Sequence, residues 1–207
     1  MIPVTPQAEP LSFNTNVRQP GNIFLSAYPT PNHKDWNKHS YWQKASDDLY
    51  RAYGGICAYT CEWFSRTSTS SSVDHFLPKS SYPNLAYEWS NYRLTTQKAN
   101  GNKGNAVGIA DPFTISSGWF VLDLPSCLIK PGAGLSPADY STVERTINIL
   151  KLNDDDEYVQ SRCDIILYYI KGDISLNYMW DKYPFIAHEL TRQNLLEDVK
   201  VMFKALA

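Results

Sequence analysis

The chain has no long hydrophobic run, no regular cysteine framework and no excess of charge of either sign. No uninterrupted apolar segment among its 207 residues approaches the ~20 residues that span a bilayer. The first residues do not combine a cationic region with an apolar run, as a secretion signal does. We therefore expect no membrane partner and a cytoplasmic location. Four cysteines without a repeated spacing favour reduced thiols over disulfides.

The net charge of -2 argues against a protein that binds nucleic acid mainly through bulk electrostatics. The charges are unevenly distributed, however. Residues 74 to 104 contain four Lys or Arg and two Asp or Glu. Residues 150 to 207, by contrast, contain seven Lys or Arg and ten Asp or Glu. Because an enzyme with little net positive charge captures DNA slowly, we expect an associated subunit that helps to hold the substrate.

The pattern along the chain predicts an α+β protein, in which a small core with strands is embedded in a mainly helical chain. Six prolines in the first 35 residues predict an irregular N-terminal arm over residues 1 to 38. Residues 39 to 115 hold the predicted core with a preceding helix, and residues 116 to 207 a mainly helical C-terminal region. Apolar periodicity and capping residues predict helices over residues 39 to 53, 136 to 150, 153 to 171, 175 to 182 and 185 to 206, and a strand over 119 to 124.

The strongest functional signal is the sequence VDHFLPKS at residues 73 to 80, followed by WSNYRL at 89 to 94 and NGNKG at 100 to 104. Hydrolysis of a phosphodiester needs a base for water, and the neutral imidazole of His75 is the candidate. It also needs a hard cation held by oxygen ligands, for which Asp74 and Asn100 are the candidates. These residue types predict a nuclease site with one metal ion. Neighbours in a strand point to opposite faces, so the sequence leaves open how Asp74 and His75 share one site.

In order and approximate spacing, Asp74-His75, Asn91 and Asn100 resemble the HNH endonucleases, whose ββα-metal core is a hairpin, a loop and a short helix. The resemblance implies that His75 is the general base and that Asn91 braces the loop and the imidazole. It further implies that Asp74 and Asn100 bind Mg²⁺ or Mn²⁺, and that the substrate is DNA. Three further cations are candidates for phosphate contacts: Lys79, Arg93 and Lys103.

The resemblance is closer to one branch of these nucleases, the subunits that accompany ATPases in Septu-type and retron-type anti-phage systems. It covers residues 57 to 104 and rests on three further blocks: CAYTCE at 57 to 62, YPNLAYEWSN at 82 to 91 and ANGNKG at 99 to 104. No motif that we can name matches the far C-terminal half. The resemblance implies an ATPase partner and a role in antiviral defence.

The cysteines depart from this branch, in which many members hold the hairpin with a zinc ion between two Cys-x-x-Cys pairs. Here three residues separate Cys57 from Cys61, and Thr96 and Ala99 stand where the second pair would be. Two thiolates do not close a tetrahedral zinc site. We therefore expect no structural zinc and interpret Cys57 and Cys61 as buried thiols.

Each candidate residue has a simpler structural interpretation, since an isolated Asp-His pair is usually a surface or capping pair and Asn is common in turns. The match of four blocks in one order is what favours a DNA endonuclease. One alternative is a nuclease-derived module with weak catalysis that chiefly docks to an ATPase through its acidic helical tail. Another is an RNA or tRNA nuclease, because a metal and a histidine do not identify the sugar.

Overall fold

The computed structural model describes residues 1 to 154, 156 to 196 and 198 to 199, and these residues divide into two compact units. The first unit comprises Thr5–Ala58 and Phe64–Val107. The second comprises Met1–Val4, Tyr59–Trp63 and the described part of Gly108–Ala207. The predicted boundaries after residues 38 and 115 do not coincide with these units.

The first unit contains four short α-helices and two strands. Its helices are α1 (Gln19–Ala27), α2 (His33–Lys38), α3 (Ser46–Ala52) and α4 (Gln97–Lys103), and 3-10 turns lie at Tyr41–Ala45, Pro83–Leu85 and Trp89–Asn91. The helix predicted over residues 39 to 53 is thus a 3-10 turn that continues into α3. Gly54 and Gly55 follow it with positive φ, as expected of a helix stop.

The prediction of an irregular arm was wrong for much of residues 1 to 38. A π-helical turn at Asn14–Arg18 leads directly into α1, and α2 follows. Pro20 does not prevent this, because it lies in the first turn of α1, where a missing N–H is tolerated. Asn32 starts α2 by accepting hydrogen bonds from the N–H groups of Lys34 and Asp35.

The two strands of the first unit, β1 (Ser71–His75) and β2 (Tyr92–Thr96), pair antiparallel, so that Asp74 lies opposite Arg93 and His75 opposite Tyr92. β2 passes into α4 without a loop. The hydroxyl of Thr96 accepts a hydrogen bond from the N–H of Ala99 and so caps the helix. A strand pair followed immediately by a short helix therefore carries all the predicted site residues except Lys79 and Asn91, which lie between the strands.

Aromatic side chains form the core of the first unit. Tyr87 is fully buried, its hydroxyl donates to the carbonyl of His39, and its ring lies against Gly21 of α1. A Cβ at Gly21 would stand 2.2 Å from that ring, so only glycine allows the helix to pack here. Edge-to-face contacts join Phe13 to Trp89 and to Tyr92. This core supports β2 from the side of the N-terminal helices.

In its described residues, the second unit combines a two-stranded antiparallel sheet with four helices of seven or more residues. Its elements are β3 (Phe120–Asp123), β4 (Leu128–Pro131), α5 (Pro137–Ile149), α6 (Asp156–Lys171), α7 (Leu176–Lys182) and α8 (Pro184–Arg192). Buried Arg162 on α6 donates to the carbonyls of Cys127 and Leu152 and so ties that helix to the neighbouring loops.

The predicted strand at 119 to 124 and the predicted helices from residue 136 to 182 are confirmed by β3, α5, α6 and α7. Ser136 and Ser175 cap α5 and α7, and Gly172 follows α6 with positive φ. The predicted helix over residues 185 to 206 is interrupted, since α8 ends at Arg192 and residues 198 and 199 are again helical. Residue 197 and the residues from 200 onwards lie outside the described part. None of the described helices has the length and apolarity needed to cross a membrane.

Candidate functional site

Asp74, His75, Lys79 and Asn100 line a single cavity of about 260 Å³ in the first unit. This arrangement answers the question that strand alternation left open, because the cavity lies around the end of β1 and both members of the Asp-His pair reach it. Six further residues complete the wall: Trp42, Ser72, Val73, Pro78, Gly104 and Asn105. The cavity thus combines a carboxylate, an imidazole, an ammonium group and a carboxamide.

His75 is buried, and its Nε2 lies 2.8 Å from the carbonyl oxygen of Ala86. A carbonyl oxygen only accepts hydrogen bonds, so Nε2 carries the proton and Nδ1 carries the lone pair. Nδ1 makes no hydrogen bond with the described residues. The rings of Trp42 and Tyr92 meet the imidazole edge-on, with centroids 5.0 and 5.2 Å away. Orientation and tautomer are therefore both defined by the surrounding fold.

Burial, and after it the nearby charge of Lys79, lowers the pKa of His75 to about 3. The hydrogen bond to Ala86 acts in the opposite direction but is the weaker influence. The imidazole is consequently neutral at physiological pH. A neutral ring with an uncommitted lone pair is the form that accepts a proton from water.

Asp74 is buried, and its Oδ1 lies 2.9 Å from Nζ of Lys103, whose side chain is also buried. The same ammonium group donates to the backbone carbonyl of His75 at 2.8 Å. Lys103 is the last residue of α4, so this contact fastens the helix to the end of β1. A carboxylate in such a place needs a compensating positive charge, and Lys103 supplies one.

Asn91 fastens the segment that joins β1 to β2. Its Oδ1 accepts from the N–H of Leu77 at 2.9 Å, and its Nδ2 donates to the carbonyls of Leu77 and Leu85 at 3.0 and 3.2 Å. Leu85 immediately precedes Ala86, the residue that holds the imidazole of His75. Asn91 thus acts on the shape of the loop and contacts the imidazole only through it.

Asn100 lies on α4, and its Nδ2 donates to Oγ of Ser72 at 2.7 Å. This bond joins the helix to β1 and leaves the carboxamide oxygen of Asn100 without a hydrogen bond from the described residues. Because Asn100 and Asp74 line the same cavity, a carboxamide and a carboxylate are both available there.

Of the three cations predicted to contact phosphate, Lys79 is the one that lines the cavity. Its Nζ lies 4.9 Å from the ring centroid of Trp42, and burial lowers the pKa of Lys79. Arg93 is buried and donates to the carbonyls of Ser90 and Tyr92. The prediction of phosphate contacts by Arg93 and Lys103 is not supported, because both side chains point into the protein.

Trp42 is the residue that sequence reasoning missed. It lies within the helix predicted over residues 39 to 53 and was not among the candidate site residues, yet the structure sets it against His75 and Lys79. No signal in the sequence near Trp42 relates it to the motif, since the contact depends on how the segment before α3 packs on β1.

The oxygen donors of this cavity suit a hard divalent cation that keeps several of its water ligands. Mg²⁺ is commonly held by one or two carboxylates with several waters, and Asp74 and Asn100 offer oxygen donors of this kind. No group of three or more His, Cys, Asp or Glu side chains in the described part of the chain is arranged to hold a metal. None of the four cysteines forms a disulfide, and Cys57, Cys61 and Cys127 are buried. The absence of structural zinc stays a prediction.

No family model matches the chain. The chain is 32% identical over 107 residues to the Septu protein PtuB of Bacillus thuringiensis. The match covers 51% of this chain and 40% of that protein, so the chain spans well under two thirds of the relative's length. The similarity agrees with the predicted relationship to Septu proteins, while the assignment to HNH endonucleases stays a prediction.

Proposed function

We propose that the chain is a metal-dependent endonuclease that cuts DNA as part of a Septu-type anti-phage defence system. In this proposal β1, β2 and α4 correspond to the ββα core of an HNH nuclease. The observation that carries the proposal is the single cavity shared by Asp74, His75, Lys79 and Asn100. The similarity to a Septu protein supports the defence role.

His75 is the general base. Its Nε2–H is fixed on Ala86, so Nδ1 is the atom that takes a proton from the attacking water. The low pKa of the imidazole makes it a weak base in the empty cavity. A bound phosphate, being anionic, opposes the influence of Lys79 and raises the basicity of His75 as the substrate enters.

Asp74 and Asn100 are the residues that would hold Mg²⁺ or Mn²⁺, and such an ion supplies positive charge for the leaving oxygen. Lys79 binds a non-bridging phosphate oxygen as a point charge. Asn91 keeps the loop in the shape that presents Ala86 to His75. Lys103 neutralises Asp74 and holds α4 against β1.

The predicted ATPase partner remains part of the proposal. Residues 150 to 207 carry a net charge of -3, whereas residues 74 to 104 carry +2. A segment with an excess of positive charge suits DNA, and an acidic C-terminal region suits a protein partner with a basic surface.

The test is cleavage of plasmid DNA by the purified chain in Mg²⁺ or Mn²⁺, alone and with the proposed ATPase partner. His75→Gln is the informative variant, because the amide can still donate to Ala86 but is no base at neutral pH. The expected loss of rate is about 10²- to 10⁴-fold. His33→Gln is the matched control, since His33 is exposed at the start of α2. Equal rates for wild type and His75→Gln would remove the base from its assigned role.

A second candidate function is a docking module with weak catalysis, and the Lys103–Asp74 ion pair is the observation that favours it. If the ammonium group permanently occupies the carboxylate, no divalent ion binds there. Calorimetric titration of Mn²⁺ into wild type and Asp74→Asn separates the two functions. Binding that disappears in Asp74→Asn supports the nuclease, and no binding in either protein supports the docking module.

Whether the substrate is DNA or RNA is a separate question. Cleavage of labelled DNA and labelled RNA of the same sequence distinguishes these two substrates.

A further inference from the structure

A second cavity of about 320 Å³ adjoins the proposed catalytic cavity. The two share Trp42, Ser72 and Val73 as lining residues, so they are separated by one common wall. The second cavity is completed by Gln43, Ser46 and Ser71. We refer to it as the neutral cavity, because no charged side chain of the described residues lines it.

The polar groups of the neutral cavity suit an uncharged heterocycle with donors and acceptors on its edge. Gln43 stands at the exposed rim, and its carboxamide makes no hydrogen bond with the described residues. An amide offers a donor and an acceptor side by side, as bidentate recognition of a base edge requires. Behind it, the hydroxyls of Ser46 and Ser71 share a long hydrogen bond of 3.3 Å, which a stronger partner can replace.

Trp42 forms the boundary between the two cavities. Lys79 lies over its ring and the imidazole of His75 meets it edge-on. Charged side chains thus line the catalytic cavity, whereas the polar side chains of the neutral cavity are an amide and hydroxyls. A phosphate on one side and an attached base on the other would match this division. Contact with an aromatic side chain is a common means of holding an unpaired base.

We infer that the neutral cavity binds the nucleobase of a nucleotide next to the phosphate that is cut. The inference rests on the proposed nuclease function and specifies its substrate: a strand in which that nucleotide is unpaired. The volume lies near the lower end of the ~300–1,000 Å³ typical of small-ligand pockets, which suits one base and not a base pair. A base within a duplex reaches such a pocket only after leaving the stack.

The experiment compares intact and abasic single-stranded oligonucleotides. The position of cleavage is mapped first, and the nucleotide on either side of the cut is then replaced by an abasic analogue. One of these replacements lowers kcat/KM by roughly 5- to 150-fold, the range expected for losing one base contact. A fully paired duplex is cut more slowly than the same strand with an unpaired nucleotide at that position.

Gln43→Ala links this effect to the neutral cavity. The variant lowers kcat/KM for the intact oligonucleotide but not for the abasic one, because the abasic strand has already lost the contact. Gln19→Ala is the matched control, since Gln19 is an exposed glutamine of the same unit that lines neither cavity. In this control, kcat/KM stays at the wild-type value for both the intact and the abasic oligonucleotide.

Binding of the same oligonucleotides to wild type and Gln43→Ala, measured by fluorescence anisotropy in EDTA, repeats the comparison without cleavage. The inference is overturned if abasic replacement on both sides changes neither rate nor binding, or if Gln43→Ala weakens intact and abasic strands equally. Failure of the nuclease proposal can be distinguished from failure of this inference. If the chain is not the proposed nuclease, cleavage is absent or does not depend on His75, whatever the binding data show.

Discussion

Replacing Lys103 by methionine tests how the structure maintains a buried carboxylate at the proposed site. Methionine keeps most of the aliphatic volume of lysine but removes the ammonium group that lies 2.9 Å from Asp74 and 2.8 Å from the carbonyl of His75. The side chains of Lys103 and Asp74 are 0% and 1% exposed. Water therefore cannot replace the lost charge without opening the structure.

The expected cost follows from that burial. Removing one partner of a buried ion pair typically destabilises a protein by about 3–5 kcal/mol, because the other charge is left uncompensated. Lys79→Met is the matched control in the same cavity. Lys79 is partly exposed and contacts the ring of Trp42, an interaction of about 0.5–1 kcal/mol at such a site. Lys103→Met should thus lower the free energy of unfolding several times more than Lys79→Met does.

The assay is urea unfolding followed by circular dichroism for wild type, both single lysine variants, Asp74→Asn, and Asp74→Asn combined with Lys103→Met. The double variant contains neither charge, so its loss of stability falls short of the sum of the single losses by up to about 3 kcal/mol. A cost below about 1 kcal/mol for Lys103→Met, or strictly additive losses in the double variant, would refute the argument that the pair is a mutually dependent buried unit.

Three further predictions concern metal, pH and salt. Mn²⁺ at about 100 times its Kd raises the unfolding free energy of wild type by about 2.7 kcal/mol, and calorimetry of Asp74→Asn shows no such gain. Burial raises the pKa of Glu62 to about 7, so the folded state binds the proton of this carboxyl group more tightly than the unfolded state does. The resulting contribution to stability is complete below the ordinary pKa of 4.5 and is lost as the pH rises through about 7. The free energy of unfolding of Glu62→Gln therefore exceeds that of wild type by at most about 3 kcal/mol at pH 8. Urea titrations should show this difference vanish below about pH 5. Lys79→Ala weakens binding of single strands uniformly across sequences and lowers the slope of log K against log salt by about 0.7; an unchanged slope contradicts a phosphate contact.

Much of the local structure could be predicted because the responsible groups are close together in the chain. Ser136 and Pro137 start α5, Ser175 starts α7, and Gly172 follows the end of α6. Each signal acts within one helical turn. The N-terminal residues were predicted less well, because prolines were taken to exclude helices, although Pro20 occupies a permitted position in the first turn of α1.

The identity of the candidate site residues likewise came from the sequence, through the order of Asp74, His75, Asn91 and Asn100. Their environments did not. Whether Lys103 meets a phosphate or a carboxylate depends on where α4 packs against β1, and the structure directs its ammonium group to Asp74. Side-chain type limits the chemistry, but direction and burial follow from long-range packing.

By itself, then, the sequence determined which chemical groups were available and which short segments became helices, since both depend on adjacent residues. Tertiary structure alone decided that Trp42 stands beside His75, that the imidazole is buried and neutral, and that a neutral cavity adjoins the charged one. The physical reason is that burial and electrostatic environment are set by groups far apart in the chain, whose approach no local pattern records.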